Sequence, residues 1–393
     1  MIRFLFTLGS LLIFSSTLPA LEPAEQIDAL LAKGYSQLEV QPNPIADDPT
    51  FVRRAFLHIT GRIPTAEEAR DFLNDPSNTK RSKLVDQLVA SEGFDHHLFN
   101  FYADLLRLET RSRMAGLGWH LWLKDSVRND RPYDEMVYEM LAATGHVSEN
   151  SAVGYYLRDR NMLLDNVSNS VQVFLGMRIG CAQCHDDPFK ETTQMDYYLL
   201  AAFSGGMDFE SPFSKSRMVG MLEDYASSHN VPFSRKLIGK KRGYKPEFEP
   251  IKRIERDIQH LFTYYQRMEV IETDRQLKLP HDYAYEDGNP GDVLEPDTLY
   301  GERLNLADFP NRKAAFASWL TSPENERFAT NLANRLWSHA FGYGLHMPLD
   351  DWEDTDRILH PEVLDYVTEL FLANDFDVRS TLRVLFQTQL FQR

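Results

Sequence analysis

Val171-Gln-Val-Phe-Leu-Gly-Met-Arg-Ile179-Gly-Cys181-Ala-Gln-Cys184-His185 is the stretch on which the fold class turns. Read as a β-branched strand, Val171 to Ile179 would feed Cys181-Ala-Gln-Cys184 as the dithiol turn of a thioredoxin-like site. That reading needs strands and helices alternating around it, and the flanks do not supply them. Upstream, Phe94 to Leu108 and Trp119 to Leu141 repeat apolar residues at helical spacing, with aromatics supplying much of the stripe. Thr65 and Glu68 form a capping box ahead of Ala69, Phe72 and Leu73, and Ser77-Asn78 precede Leu84, Val85, Leu88 and Val89 on one helical face. Downstream, helical order resumes at Arg312. Phe328, Leu332 and Leu336 then stand four apart before Gly342 and Gly344 stop that helix, and Pro361 opens another that carries Leu364, Val367, Leu370 and Phe371. Strand-like alternation is scarce. The predicted fold is mainly α, as two helical domains joined by an irregular, charged connector.

The boundaries follow from composition shifts. Residues 1–20 read as a signal peptide, with Arg3, an apolar run from Phe4 to Phe14, then Ser15-Ser16-Thr17 and Pro19-Ala20. The apolar run is too short for a bilayer, which needs about 20 residues. Residues 21–50 read as a polar N-terminal extension loosened by Pro42-Asn-Pro44, and 51–210 as the helical domain containing the cysteines. In the connector, 211–305, Ser227 to Lys245 is basic, Glu247 to Arg275 reads as a charged amphipathic helix, and Leu279 to Tyr300 is an acidic Pro/Gly-rich loop. Residues 306–393 read as the start of a second helical domain. Its apolar stripe at Leu382, Leu385, Phe386 and Leu390 is still running when the sequence reaches Arg393, as in a piece of a longer chain.

With 42 Lys and Arg against 58 Asp and Glu the net charge is −16, which argues against a nucleic-acid partner. At 43% hydrophobic and 25% charged the chain is neither disordered nor membrane-spanning. The mature protein is expected to carry no membrane span and to be secreted or periplasmic.

Cys181 and Cys184 are the only two cysteines, and with His185 they spell a c-type haem attachment site. Two thiols one turn apart can each form a thioether with a haem vinyl group, and the adjacent imidazole of His185 then meets the iron as its protein ligand. A dithiol redox site, a Cys/His metal site and a structural pair of free thiols are the competing readings. Met195, Met207, Met218 and Met221 follow the motif, and none is assigned as a sixth iron ligand. Asp186-Asp187 with Asp196, and Asp350-Asp351 with Glu353, Asp354 and Asp356, read as solvated or capping carboxylates before they read as a cation site. His58, His96, His97, His120, His146, His339, His346 and His360 have no ligand-like partner one turn away and read as structural. Trp319, Trp337, Trp352 and Tyr343 read as core first and as a recognition surface second. No nucleophile elbow, phosphate loop or dinucleotide fingerprint names another reaction, so catalytic residues are unassigned.

Several runs also carry a likeness. Phe51-Val-Arg-Arg54, Thr60-Gly61-Arg-Ile-Pro64-Thr65, Phe174-Leu-Gly-Met-Arg-Ile-Gly-Cys181-Ala-Gln-Cys184-His185-Asp186 and Asp196-Tyr-Tyr198 with Ala201-Ala-Phe203 resemble the planctomycete-type cytochrome c-like domain. Leu279-Pro280-His-Asp282-Tyr283, Asn334-Arg335-Leu-Trp337, Phe341-Gly-Tyr-Gly344-Leu345 and Asp350-Asp351 resemble the planctomycete-specific domain that follows it in the same chains. Both are families of unknown function, abundant in secreted proteins of Planctomycetes and Verrucomicrobia. The resemblance implies an exported, multi-domain protein with covalent haem c and implies no known reaction; an electron-transfer role would call for a redox partner protein. The haem motif points to electron transfer, family company alone links it to extracellular polymer breakdown, and the Asn334 to Leu345 segment with its aromatics would be the surface for polysaccharide association. The alternative is a non-enzymatic binding or scaffold module. One departure stands out: where the family often reads Cys-His-Asp-His-Pro-Phe, this chain has Asp187 in place of the second histidine.

Overall fold

The computed structural model describes residues 21–109, 114–159, 162–209, 268–301, 303–352 and 358–393, with 224, 227 and 228 as isolated positions. The signal-peptide reading of residues 1–20, most of the connector, Met218, Met221, Glu353, Asp354 and Asp356 lie outside the described residues.

The described chain is mainly helical. Helix α1 (Pro23–Gln37) starts on a proline at its first position, with Glu22 and Glu25 forming a capping box, and buries Ile27, Leu31 and Gly34. This corrects the reading of 21–50 as a loose approach. The helix is stabilised because its short apolar face docks on helices from the far end of the chain, which local composition does not reveal. Helix α2 (Asp48–Thr60) is capped by Asp47, which accepts the Thr50 N–H, and ends at Gly61 in the left-handed region at φ 69°. Helix α3 (Ala66–Asn74) begins with the Thr65–Glu68 capping box read from the sequence. Helices α4 (Lys80–Val89), α5 (Glu92–Leu105), α6 (Met114–Arg128) and α7 (Tyr133–Ala142) follow. The single stripe from Trp119 to Leu141 is thus two helices, divided at a turn where Asp130 takes φ 46° ahead of Pro132.

After β1 (Gly145–His146) and α8 (Gly154–Arg158) comes α9 (Leu163–Leu175). Val171 and Val173 lie inside this helix, so the strand that a thioredoxin-like site would need is a helix here. Helix α10 (Gln194–Ala201) and β2 (Met207–Asp208) close the first segment. Strand β3 (Glu269–Glu272) lies inside the stretch read as one amphipathic helix, Glu247 to Arg275. Charge spacing suggested the helix, but Val270 and Ile271 favour extended backbone, and partners on both sides fix it. Residues Gly145 and His146 pair with Val270 and Glu269, and Met207 and Asp208 with Glu272 and Ile271, giving an antiparallel order β1-β3-β2.

Helices α11 (Arg312–Thr321), α12 (Glu326–Phe341), α13 (Pro361–Ala373), α14 (Val378–Gln387) and α15 (Gln389–Gln392) complete the chain. Proline starts α13 and Gly342, at φ 83°, stops α12, as the sequence predicts. These helices interleave with the first segment: α11 lies along α7, α12 against α9, α14 against α4, and α1 against α13. Buried side chains from both segments form a continuous hydrophobic cluster. Lys313 is fully buried in it. Its ammonium donates to the Ala143 carbonyl at 2.7 Å and sits over the Tyr156 ring, and burial lowers its pKa to about 8 against the pull of Glu272.

Candidate functional site

The cysteines stand on a turn framed by two helices. Helix α9 ends at Gly176, whose φ of 65° is a conformation glycine adopts without cost. Gly180–Gln183 then forms one 3-10 turn, and the Cys181 carbonyl accepts the N–H groups of Cys184 (3.2 Å) and His185 (3.4 Å). Ile179 and Ala182 are fully buried and pin the turn, while Cys181 and Cys184 are free thiols exposed to solvent. His185 is exposed, with Nδ1 2.7 Å from the Asp186 carbonyl. A carbonyl only accepts, so Nδ1 carries the proton and the Nε2 lone pair is left available.

Beyond the histidine the loop is held by its own carboxylates. Asp186 accepts the Gln194 N–H at 2.8 Å, and its backbone N–H donates to the Tyr285 hydroxyl at 2.8 Å. Asp187 is buried: its Oδ1 accepts the Phe189 N–H at 3.0 Å, and its N–H donates to the Thr192 carbonyl at 3.0 Å. At the position where the family often has a second histidine, this chain therefore has a turn-former. Asp196 caps α10 through Thr193, and Gln194 Nε2 reaches the Gln183 carbonyl at 3.2 Å. Tyr198 lies close enough to Cys184 and Asp282 for their charge, after burial, to raise its phenol pKa.

The other flank is supplied by the C-terminal segment. The Trp352 N–H donates to the Gly176 carbonyl (2.8 Å), its indole Nε1 donates to Asn331 Oδ1 (3.1 Å), and Asn331 Nδ2 donates to the Val173 carbonyl (2.8 Å). The indole also stacks on His346 with centroids 4.4 Å apart. Asp350 accepts from Gln172 (2.6 Å) and Arg178 (2.8 Å), and Lys190 pairs with Asp351 (2.7 Å). Burial pushes the Asp350 pKa up, but the bonds from Arg178 and Gln172 outweigh it and hold the carboxyl below its usual range.

Asp186, Asp187, Asp196, Asp350 and Asp351 are thus acceptors and ion-pair partners. Among the described residues, no three His, Cys, Asp or Glu side chains converge as a metal ion would require. Met207 is buried in β2, and the Met195 side chain packs against Gly288. Trp319, Trp337 and Trp352 are buried, leaving Tyr343, 57% exposed, as the one surface aromatic of the four considered for recognition. Beside the loop lies an open cleft of about 520 Å³ lined by Met177, Phe189, Lys190, Thr192, Leu299 and Arg327, with the Phe189 ring 91% exposed.

Sequence reasoning singled out Cys181, Cys184 and His185 as candidates and did not single out Tyr285 and Asn331, which hold the turn in place. Tyr285 carries no local signal, being 99 residues from Asp186, and Asn331 is a polar residue inside an apolar helical stripe. Residues 26–208 match the family PSCyt2 and residues 312–393 the family PSD1, each described as a protein of unknown function. No curated protein and no solved structure matches the chain.

Proposed function

For a chain that carries a PSCyt2 domain followed by a PSD1 domain, both of unknown function, we propose an exported c-type haem protein that transfers electrons. The observation that carries this reading is the donor set on one turn: two exposed free thiols beside an imidazole whose Nδ1 is tied to the Asp186 carbonyl. That tie orients the ring and makes Nε2 the donor atom, which is how a protein prepares a proximal histidine. Haem c asks for this arrangement, since only His185 need meet the iron while the thiols hold the ring edge. A zinc or iron ion bound directly would need all three side chains on one point.

Each thiol would add across a vinyl C=C bond, sulfur to one carbon and the thiol hydrogen to the other, so attachment consumes no oxidant. The bound group supplies one-electron exchange. The protein's part is to hold Cys181 and Cys184 outward on the 3-10 turn, to fix the His185 tautomer, and to keep the loop shape through Asp186, Asp187 and Tyr285. A redox partner protein would approach the exposed Cys181–Phe189 loop. Polysaccharide association would rest on Tyr343, and the link to polymer breakdown on family company alone.

The test is expression in a host with export and haem-attachment machinery, followed by haem staining of a denaturing gel and a reduced pyridine spectrum. Covalent haem that is lost when Cys181 and Cys184 are both replaced by Ser, and whose spectrum changes in His185→Ala while the thioethers remain, supports the reading. A folded, exported chain without covalent haem overturns it. The second reading, a dithiol site, is favoured by the same exposure of both thiols and would then be tested by alkylation before and after mild oxidation.

A further inference from the structure

Three histidines from three helices meet where the PSCyt2 and PSD1 regions join. His58 lies in the last turn of α2, His97 in the middle of α5 and His339 in the last turn of α12. The His97 and His339 rings are 5.1 Å apart between centroids, and His339 also lies against Phe101 at 4.9 Å. His58 lies beside the Ala340 carbonyl and meets the Phe391 ring edge-on at 5.8 Å. The His97 ring rests on the backbone at the end of α2, where a Cβ on Gly61 would fall 2.7 Å from its Nδ1. Each of the three is thereby in contact with an element it does not belong to.

The surroundings favour the neutral rings. Burial lowers the pKa of all three, and His339, pressed further by His97 and His58, is pulled down to about 4. The charged and titratable groups acting on the cluster are Arg54 and His58 from α2, His97 from α5 and His339 from α12. The C-terminal turn contributes the Phe391 ring and a carbonyl that binds Arg54 at 2.8 Å. Among the described residues no carboxylate acts on any of the three rings, so burial, Arg54 and the neighbouring imidazoles oppose a proton here and the Ala340 carbonyl alone favours one, at His58.

We propose that His58, His97 and His339 form an acid-operated latch, which closes α12 and the C-terminal turn onto α2 and α5 when neutral and parts them when protonated. A histidine whose folded pKa lies below its unfolded value contributes full stability above the unfolded pKa, near 6.5, and loses it as pH falls. For His339 the window runs from about 6.5 down to about 4. Across that window, its titration alone lowers the closed-to-open ratio by roughly a hundredfold.

Hydrogen exchange of the full chain at pH 7.5 and pH 5, corrected for intrinsic rates, tests this. Peptides covering 52–61, 93–101, 335–345 and 388–393 are expected to lose protection at pH 5 ahead of the α7–α11 contact. In His339→Gln the loss should be smaller. Uniform loss across the chain, or an unchanged response in His339→Gln, overturns the proposal. Should that variant not fold, ring NMR of the wild-type chain decides: a His339 ring that stays neutral to about pH 4 supports the latch, and one titrating near 6.5 in the folded chain overturns it.

Discussion

The loop between α9 and α10 has two halves built on opposite plans. Gly176 and Arg178, with Lys190 at the far end, are fastened from outside by Trp352, Asp350 and Asp351. Between them, Cys181, Cys184 and His185 face solvent, and their bonds run within the loop or to its immediate neighbours. The fixed half supplies position and the open half supplies reactive atoms. A site works best when the groups that hold it are not the groups that react. The difference in burial also predicts that stability and chemistry separate on mutation.

The sharpest break is expected at Trp352→Ala. The indole is 6% exposed, stacks on His346, donates to Asn331 and packs beside Gly176, so its loss should cost about 3–5 kcal/mol in urea unfolding. Gly176→Ala comes next, at about 2–4 kcal/mol, because a Cβ would combine a positive φ with an approach of 2.0 Å to Trp352 Cδ1. Restoring space with Trp352→Ala in the same chain should make the pair less than additive, and full additivity would show that the two do not share one contact.

Asp350→Asn is expected to cost about 1 kcal/mol at neutral pH, since it weakens bonds from Gln172 and Arg178 without opening a cavity. The wild-type carboxyl titrates below its usual range, so its contribution is present above the ordinary carboxylate pKa and lost as pH falls through the lowered value. The variant should therefore lose less stability than wild type on the acid limb. Smallest of all, Cys184→Ser should change stability by no more than about 0.5 kcal/mol, because the thiol is exposed. The same change should abolish one thioether. A Cys184→Ser chain that unfolds as readily as Trp352→Ala would erase the distinction between the two halves.

What was legible in the sequence is what depends on neighbours along the chain. The Thr65–Glu68 box, the Pro361 start, the Gly342 stop and the Cys181-Ala-Gln-Cys184-His185 spacing are all decided within a few residues. What stayed hidden depends on distant partners. The α1 helix needed α13 to bury its face, and β3 needed β1 and β2 to turn a charged stretch into a strand. A search for histidines one turn apart could not find His58, His97 and His339, because each comes from a different helix. Asp350-Asp351 read as solvated because the cations that neutralise them, Arg178 and Lys190, precede them by more than 150 residues.

Those separations also set a timetable. A chain leaves the ribosome amino-terminus first at about 5–20 residues per second, so Cys181, Cys184 and His185 emerge well before the groups that will fasten them. Tyr285 trails Asp186 by 99 residues, and Asp350 trails Arg178 by 172. At that rate Tyr285 follows Asp186 by about 5–20 seconds and Asp350 follows Arg178 by about 9–34 seconds, and until then the thiol-bearing segment lacks those clamps. Any enzyme that must handle it as an extended strand has that interval in which to act before Trp352 arrives and the loop takes its final shape.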